Sequence, residues 1–305
     1  MSGMNRFSRP PLSQPSRRLI IALSILLPLL GALAPAGSGS ASGARWISVA
    51  KGSLETKSLV IAGAERSYLL YLPSRYEKSR TMPLVIVLHG SGVAAEGMLR
   101  IGLNEYADRA GFIVVYPQLS SEEPPVDVAF VSELLTALQA ELPIDARRIY
   151  VTGISRGAGI VYLLACDDRV AAIAPVATAA RYGFMCAGGR RVSILHIHGT
   201  ADGQNPYAPV PDIIEYWRQQ DGCGSSPDVA VDDSGAELVV RETYACEQGR
   251  EVTLYTIEGG VHAWPGAPRG EDDLRLGANE EAPASMAISA TPIIWEFFRA
   301  HPQPD

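Results

Sequence analysis

Ser155 lies in Gly153-Ile154-Ser155-Arg156-Gly157, directly after the β-branched, apolar run Ile149-Tyr150-Val151-Thr152. The spacing fits a G-x-S-x-G turn, in which a strand passes into a helix through one strained serine while small neighbours let the two elements approach closely. Such a turn lifts the hydroxyl clear of a sheet. It also aims the backbone N–H of Arg156, and the positive end of the helix, at the place where an oxyanion would form. A glycine-rich strand-to-helix connection without chemistry has the same pattern, so the serine needs partners before it means anything.

A serine hydroxyl is a poor nucleophile until a base accepts its proton, and that base needs an acid to orient it. Residues just past the carboxyl ends of strands in an α/β sheet gather on one rim. Asp202, in Gly199-Thr200-Ala201-Asp202-Gly203, follows the apolar run 192–198, and His262 follows the run 251–257. Each has another reading: Asp202 as a turn residue bonded to its own backbone, His262 as a loop histidine stacked on Trp264. Asp167, Asp168 and Asp221 are rival acids, the first two lying past a helix rather than a strand; His301 lies in the tail. His196 and His198, two apart in a strand, face one side and have metal-ligand spacing. A third ligand is not evident, so core packing or support of a neighbouring site is expected of them. His89-Gly90-Ser91-Gly92 follows the apolar run 83–88 and offers the Ser91 N–H as a second oxyanion donor, with a plain turn as the alternative. Two such donors would each be worth about 3 kcal/mol in a transition state.

Positioning these groups requires strands and helices in alternation. Residues 58–61 and 66–72 read as an edge hairpin; 83–88 reads as a central strand covered on both faces and 112–116 as another buried strand, with 149–152, 170–176 and 192–198 as further strands. Helices are expected over 98–110, 128–142, 160–166, 211–220 and 292–300, with Gly111 as a C-cap. The segment between Cys223 and Cys246 reads as a short excursion with strand-like ends, and 251–257 as one more strand. Alternation of this kind implies a mostly parallel sheet with right-handed crossovers.

The chain has 305 residues and a formal net charge of −7. It opens with Arg6, Arg9, Arg17 and Arg18 and no acid, then an apolar run over 19–34 broken by Pro28, then small residues up to Ser42. That is the pattern of a secretory signal peptide, with cleavage after Ala36 or Ser42 and an uncleaved anchor as the lesser reading. Arg17-Arg18 also has a twin-arginine look, although adjacent arginines are common in such regions. Without residues 1–42, which hold four arginines and no acid, the net charge moves to −11. The remainder, 43–305, has the length of one domain. Its acidity argues against nucleic acid or anionic lipid as partners, and no membrane role is expected after cleavage. Four cysteines fit two disulfides in an oxidising compartment. Of three possible pairings, Cys166 with Cys186 and Cys223 with Cys246 is favoured, each closing a loop worth roughly 3 kcal/mol in the chain-entropy picture.

The order Ser155, Asp202, His262 is that of the α/β-hydrolases. Several blocks resemble one branch in particular: Leu88-His89-Gly90, Tyr116-Pro117-Gln118, Asp127-Val128-Ala129-Phe130, Arg148-Ile149-Tyr150-Val151-Thr152-Gly153, His198-Gly199-Thr200-Ala201-Asp202, Gly259-Gly260-Val261-His262-Ala263-Trp264-Pro265-Gly266 and Ile294-Trp295-Glu296-Phe297-Phe298. These look like the secreted polyhydroxybutyrate depolymerase and feruloyl esterase family, related to carbohydrate esterase family 1. The resemblance covers nearly all of residues 43–305. It implies a single α/β-hydrolase domain that cleaves carboxylic esters through an acyl-serine, on hydroxycinnamate esters of polysaccharide, short polyesters or simple acyl esters. Two departures stand out: 118–125 is short and lacks the tryptophan, asparagine and cysteines of many relatives, which implies a more open pocket, and a charged residue, Arg156, follows the serine. Its charge either favours an anionic substrate or pairs with a local acid, and pairing is expected. The resulting expectation is a secreted serine esterase with Ser155 as nucleophile, His262 as base, Asp202 as orienting acid and Ser91 and Arg156 N–H as oxyanion donors. No metal or organic cofactor is required. A serine peptidase or acyltransferase on the same fold is the alternative enzyme, and a non-catalytic binding protein the alternative class. The sequence leaves the number of subunits open.

Overall fold

The computed structural model describes residues 51–304 apart from 62, 120–122, 187–188, 234, 236 and 268–283. The expected signal peptide and its cleavage sites lie outside the described residues. Ten strands form one sheet: β1 Ser53–Ile61, β2 Ala64–Leu72, β3 Met82–Leu88, β4 Ile113–Pro117, β5 Ile144–Ile154, β6 Ala172–Val176, β7 Ser193–Gly199, β8 Asp228–Asp232, β9 Val239–Ala245 and β10 Glu251–Ile257. Their spatial order is β1-β2-β4-β3-β5-β6-β7-β10-β9-β8. The six inner strands from β4 to β10 are parallel, and an antiparallel pair extends each edge. Every residue of β3, β4, β6 and β7 is buried, which is why β3, β4 and β6 are continuously apolar instead of alternating, while β7 also buries Ser193, His196 and His198.

The helices explain that burial. On one face α2 Pro124–Glu141, α3 Arg156–Leu164 and α4 Val210–Gln220 pack Phe130, Leu134, Ile160, Val161, Ile213 and Trp217 against Leu84, Ile86 and Val151. On the other, α1 Leu103–Ala110 and α5 Ala290–Ala300 pack Leu103, Ile294, Trp295 and Phe298 against Val85, Val87 and Tyr150. Phe112 stacks on Trp295 and Tyr150 on Phe298, at centroid distances of 3.9 and 4.8 Å. These are the two layers that a parallel sheet needs to keep water off its strands.

The structure departs from the sequence reading in a few places. The helix expected over 98–110 is two pieces, a 3-10 segment Ala95–Ile101 and α1, because Gly102 adopts φ 75° and breaks the run between them. Helix α2 begins at Pro124, four residues early, since prolines at its first two positions lose no hydrogen bond there. The excursion between Cys223 and Cys246 is no appendage: its ends are β8 and β9, which extend the main sheet. Cys166 is joined to Cys186 and Cys223 to Cys246.

Candidate active site

Four loops leave the carboxyl ends of β3, β5, β7 and β10 on the same rim. The first candidate, Ser155, sits at the tip between β5 and α3 with φ 57° and ψ −121°. Only four non-glycine residues among those described have positive φ, and Ser155 is one of them. Backbone strain of this kind persists only where surrounding contacts over-determine it. Here the contacts are visible. A Cβ on Gly153 would fall 2.7 Å from the Leu88 carbonyl oxygen, and one on Gly157 would fall 2.5 Å from the carbonyl oxygens of both Leu88 and His89. The Ser155 N–H donates to the Val176 carbonyl at 3.0 Å, fixing the turn to β6. Arg156 N–H is the first amide of α3, one of those with no partner inside the helix.

Asp202 and His262 meet. His262 Nδ1 donates to Asp202 Oδ2 at 2.7 Å, and both side chains are fully buried. Asp202 Oδ1 accepts the N–H groups of Gln204 and Asn205 at 2.9 and 2.7 Å. Burial alone would raise the Asp202 carboxyl, but the hydrogen bonds from His198, His262 and the Asn205 N–H outweigh it and hold the group well below the usual carboxylate range. The acid is therefore a fixed anion at any working pH. Asn205 also reaches back with Nδ2 to the Ala177 carbonyl at 3.2 Å, one residue past the Val176 that holds Ser155. Backbone and side chain together thus tie the serine turn to the acid loop.

The rival acids are engaged elsewhere. Asp167 binds Arg169 and Ser132, and Asp168 pairs with Arg190. Asp221 is buried, accepts the Val192 N–H at 3.0 Å, and is pushed up to about 7 by desolvation. His301 bonds the Phe297 carbonyl at the end of α5. Trp264 donates to Thr291 at 3.1 Å, within the core.

The loop after β3 is built to hold a shape. His89 Nε2 accepts the Leu119 N–H at 2.9 Å, so its proton lies on Nδ1, which donates to the Gly90 carbonyl at 2.8 Å. Desolvation lowers the basicity of this ring, in keeping with a neutral structural role. Gln118 accepts the Ala95 N–H at 2.9 Å and braces the far side. Ser91 and Gly92 emerge beside Ser155 and Arg156 on one wall of a cleft of about 550 Å³, faced by Thr178, Arg181 and Tyr182. The Arg156 side chain turns away to Asp127, which Arg66 also binds at 2.6 Å. The charge after the serine is thus paired with a buried acid.

The sequence reading did not single out Asn205, Arg181, Tyr182 or the Arg66–Asp127 pair. Asp127 and Arg156 are 29 positions apart and Arg66 is 61 from Asp127, so no local spacing marks them. The two strand histidines, His196 and His198, are expected from the sequence to pack in the core or support a neighbouring site. In the structure their nitrogens serve hydrogen bonds with Tyr162, with each other and with Asn205.

Taken together, the site offers a strained hydroxyl, a buried imidazole fixed by a carboxylate, and backbone amides around a cleft, which is the equipment of acyl transfer to a serine. Known proteins similar to this chain are esterases by name. Residues 66–193 match the family model described as Esterase PHB depolymerase. The chain is similar to feruloyl esterase D of Neurospora crassa, 28% identical over 267 residues that cover 80% of this chain and 89% of the relative. It is similar too to a probable feruloyl esterase C of Aspergillus clavatus, 27% identical over 77% of this chain and 84% of the relative. Among solved structures, the acetyl xylan esterase from Aspergillus awamori superposes with a TM-score of 0.56 at 16% identity, over 69% of this chain and 94% of that one. That likeness shows the fold, that of the α/β-hydrolases.

Proposed function

We propose that this carboxylic ester hydrolase of the α/β-hydrolase fold, whose residues 66–193 match the Esterase PHB depolymerase model, is an exported serine esterase working through an acyl-serine. Ser155 attacks the acyl carbon while His262 takes its proton. The tetrahedral oxyanion is held by the N–H groups of Ser91 and Arg156, and His262 returns the proton to the departing alcohol. Water then repeats the sequence to release the acid. Asp202 keeps the imidazole in the tautomer whose Nε2 can accept. The observation that carries this reading is the buried 2.7 Å bond between His262 and Asp202 on the rim that also holds Ser155 at φ 57°.

The substrate class follows from the relatives named feruloyl esterase and from the cleft: a hydroxycinnamoyl or other acyl ester of polysaccharide, or a short polyester, fits an open groove better than a buried tunnel. Two disulfides, the acidic balance and the signal-like start support export. The test is a rate panel of methyl ferulate, aryl acetate, aryl butyrate and hydroxybutyrate oligomers with wild type and Ser155→Ala. Hydrolysis by the wild type and loss of at least 10³-fold in the variant is expected. Turnover that survives Ser155→Ala refutes the acyl-serine route, and cleavage of peptides in preference to every ester refutes the substrate class.

A further inference from the structure

A file of buried polar groups runs through the sheet face behind Asp202. The Tyr162 hydroxyl lies 2.6 Å from His196 Nδ1; His196 Nε2 lies 3.1 Å from His198 Nδ1; His198 Nε2 lies 2.8 Å from the Asn205 carbonyl oxygen and 3.4 Å from Asp202 Oδ2. The two imidazoles are nearly parallel, at 5°. A core usually fills such space with aliphatic side chains, because each buried polar group must find a partner.

Here one end dictates every proton. A carbonyl oxygen and a carboxylate only accept, so His198 Nε2 must carry hydrogen. Its Nδ1, in the neutral ring, then accepts, which places the His196 proton on Nε2. His196 Nδ1 accepts in turn, so Tyr162 donates. The groups that face this file from neighbouring elements are Trp217 from α4, which stacks on Tyr162, and Tyr207, whose ring meets His198 edge-on and whose hydroxyl bonds Thr256. Among the described residues, Asp202 is the charged group paired with it, at 3.4 Å from His198 Nε2. Desolvation disfavours an imidazolium at His196, in accord with a single proton on that ring.

We propose that His198 is a positioning residue for the esterase reaction: its Nε2–H grips the Asn205 carbonyl and faces Asp202 Oδ2, and the His196–Tyr162 file locks the ring in the tautomer able to do so. The inference rests on the serine-esterase reading above. Asp202 swings on the short turn 202–205, whose N–H groups bind its other oxygen; His198 clamps the carbonyl side of that same turn. Freed of the clamp, the carboxylate would still be charged but would wander from His262, and proton transfer depends on its staying put.

The test compares His198→Gln, whose amide nitrogen reaches the Nε2 position, with His198→Asn, whose shorter amide reaches only the Nδ1 position. On an aryl ester, the Asn variant is expected to lose roughly 10- to 100-fold in kcat with KM within about twofold. The Gln variant is expected to stay within about threefold of wild type. Equal kcat for the two variants, or a loss confined to KM, overturns the proposal. A second measurement needs no variant: ¹⁵N spectra of histidine-labelled wild type are expected to show a proton on His198 Nε2 and His196 as the Nε2–H tautomer, and a His198 ring with no proton on Nε2 overturns it. Ser155→Ala separates the two levels. If that variant keeps its esterase activity, the serine reading fails; if it is inactive while both His198 variants match wild type, the positioning role alone fails.

Discussion

Gly157→Ala is the sharpest probe of the serine turn. Gly157 has ordinary helical φ, so its backbone does not need glycine; the space does. An added Cβ would lie 2.5 Å from the carbonyl oxygens of Leu88 and His89, whereas nonbonded contact settles near 3.5 Å, so strand and helix must part by about 1 Å. Neither obstacle is the end of a flexible side chain. Overpacking of this kind costs typically 1–3 kcal/mol, a fall in Tm of roughly 2–12 °C for a domain of this size. The same displacement moves Ser155 and the Arg156 N–H relative to Ser91, and a misplacement of about 1 Å lowers kcat/KM on the order of 100-fold. Gly159→Ala is the control: its Cβ would meet the Tyr182 ring at 2.8 Å, a side chain on the cleft wall that can yield. It is expected to keep kcat and alter KM. Thermal unfolding and ester hydrolysis on both variants decide the matter. A Gly157→Ala protein with wild-type Tm and kcat/KM within twofold would refute the close-approach argument.

Asp202→Asn leaves the shape intact but spoils the imidazole tautomer, and kcat on an aryl ester is expected to drop about 10⁴-fold at nearly constant KM. Asp127→Ala strands two buried guanidinium groups, Arg66 and Arg156, and is expected to cost about 3–5 kcal/mol, read as a lower urea midpoint. Asp221 makes stability depend on pH in an unusual sense. Its folded value near 7 lies above the unfolded value near 3.9, so its favourable contribution is complete at pH 4 and is lost as pH rises toward 7, on the order of 4 kcal/mol in the limit. Asp202, held low, has the opposite slope, but that one ends below this window. Urea unfolding of Asp221→Asn is therefore expected to flatten the profile between pH 4 and 7, and an unchanged slope would contradict the assignment. Arg181→Ala removes a guanidinium that bonds the Gln204 carbonyl at the cleft; KM is expected to change with kcat retained.

What the sequence disclosed, and what it hid, follows from the range of the forces involved. Strands such as β3 and β4 were legible because burial on both faces leaves no room for alternation, and Ser155, Asp202 and His262 stand out in the sequence because each follows a strand-like run. Gly102 escaped notice because the apolar spacing of 98–110 runs through it undisturbed; only the left-handed turn at that residue breaks the helix. Strands β8 and β9 read as an excursion because β8 is exposed, β9 is mostly half-buried, and neither carries a clear alternation. The Arg66–Asp127–Arg156 cluster and the Tyr162–His196–His198 file are assembled by tertiary packing. Bonded partners within them lie 29, 34 and 61 positions apart, so no local spacing joins them.

The Cys166–Cys186 bridge has a further consequence. Cys166 closes the helix that starts at Ser155, and Cys186 ends the stretch that carries Thr178, Arg181 and Tyr182. One covalent staple therefore ties the reacting centre to the surface that greets the substrate. With the bond reduced, that lip would be tied to the helix by noncovalent contacts alone, so the shape of the groove depends on an oxidising environment.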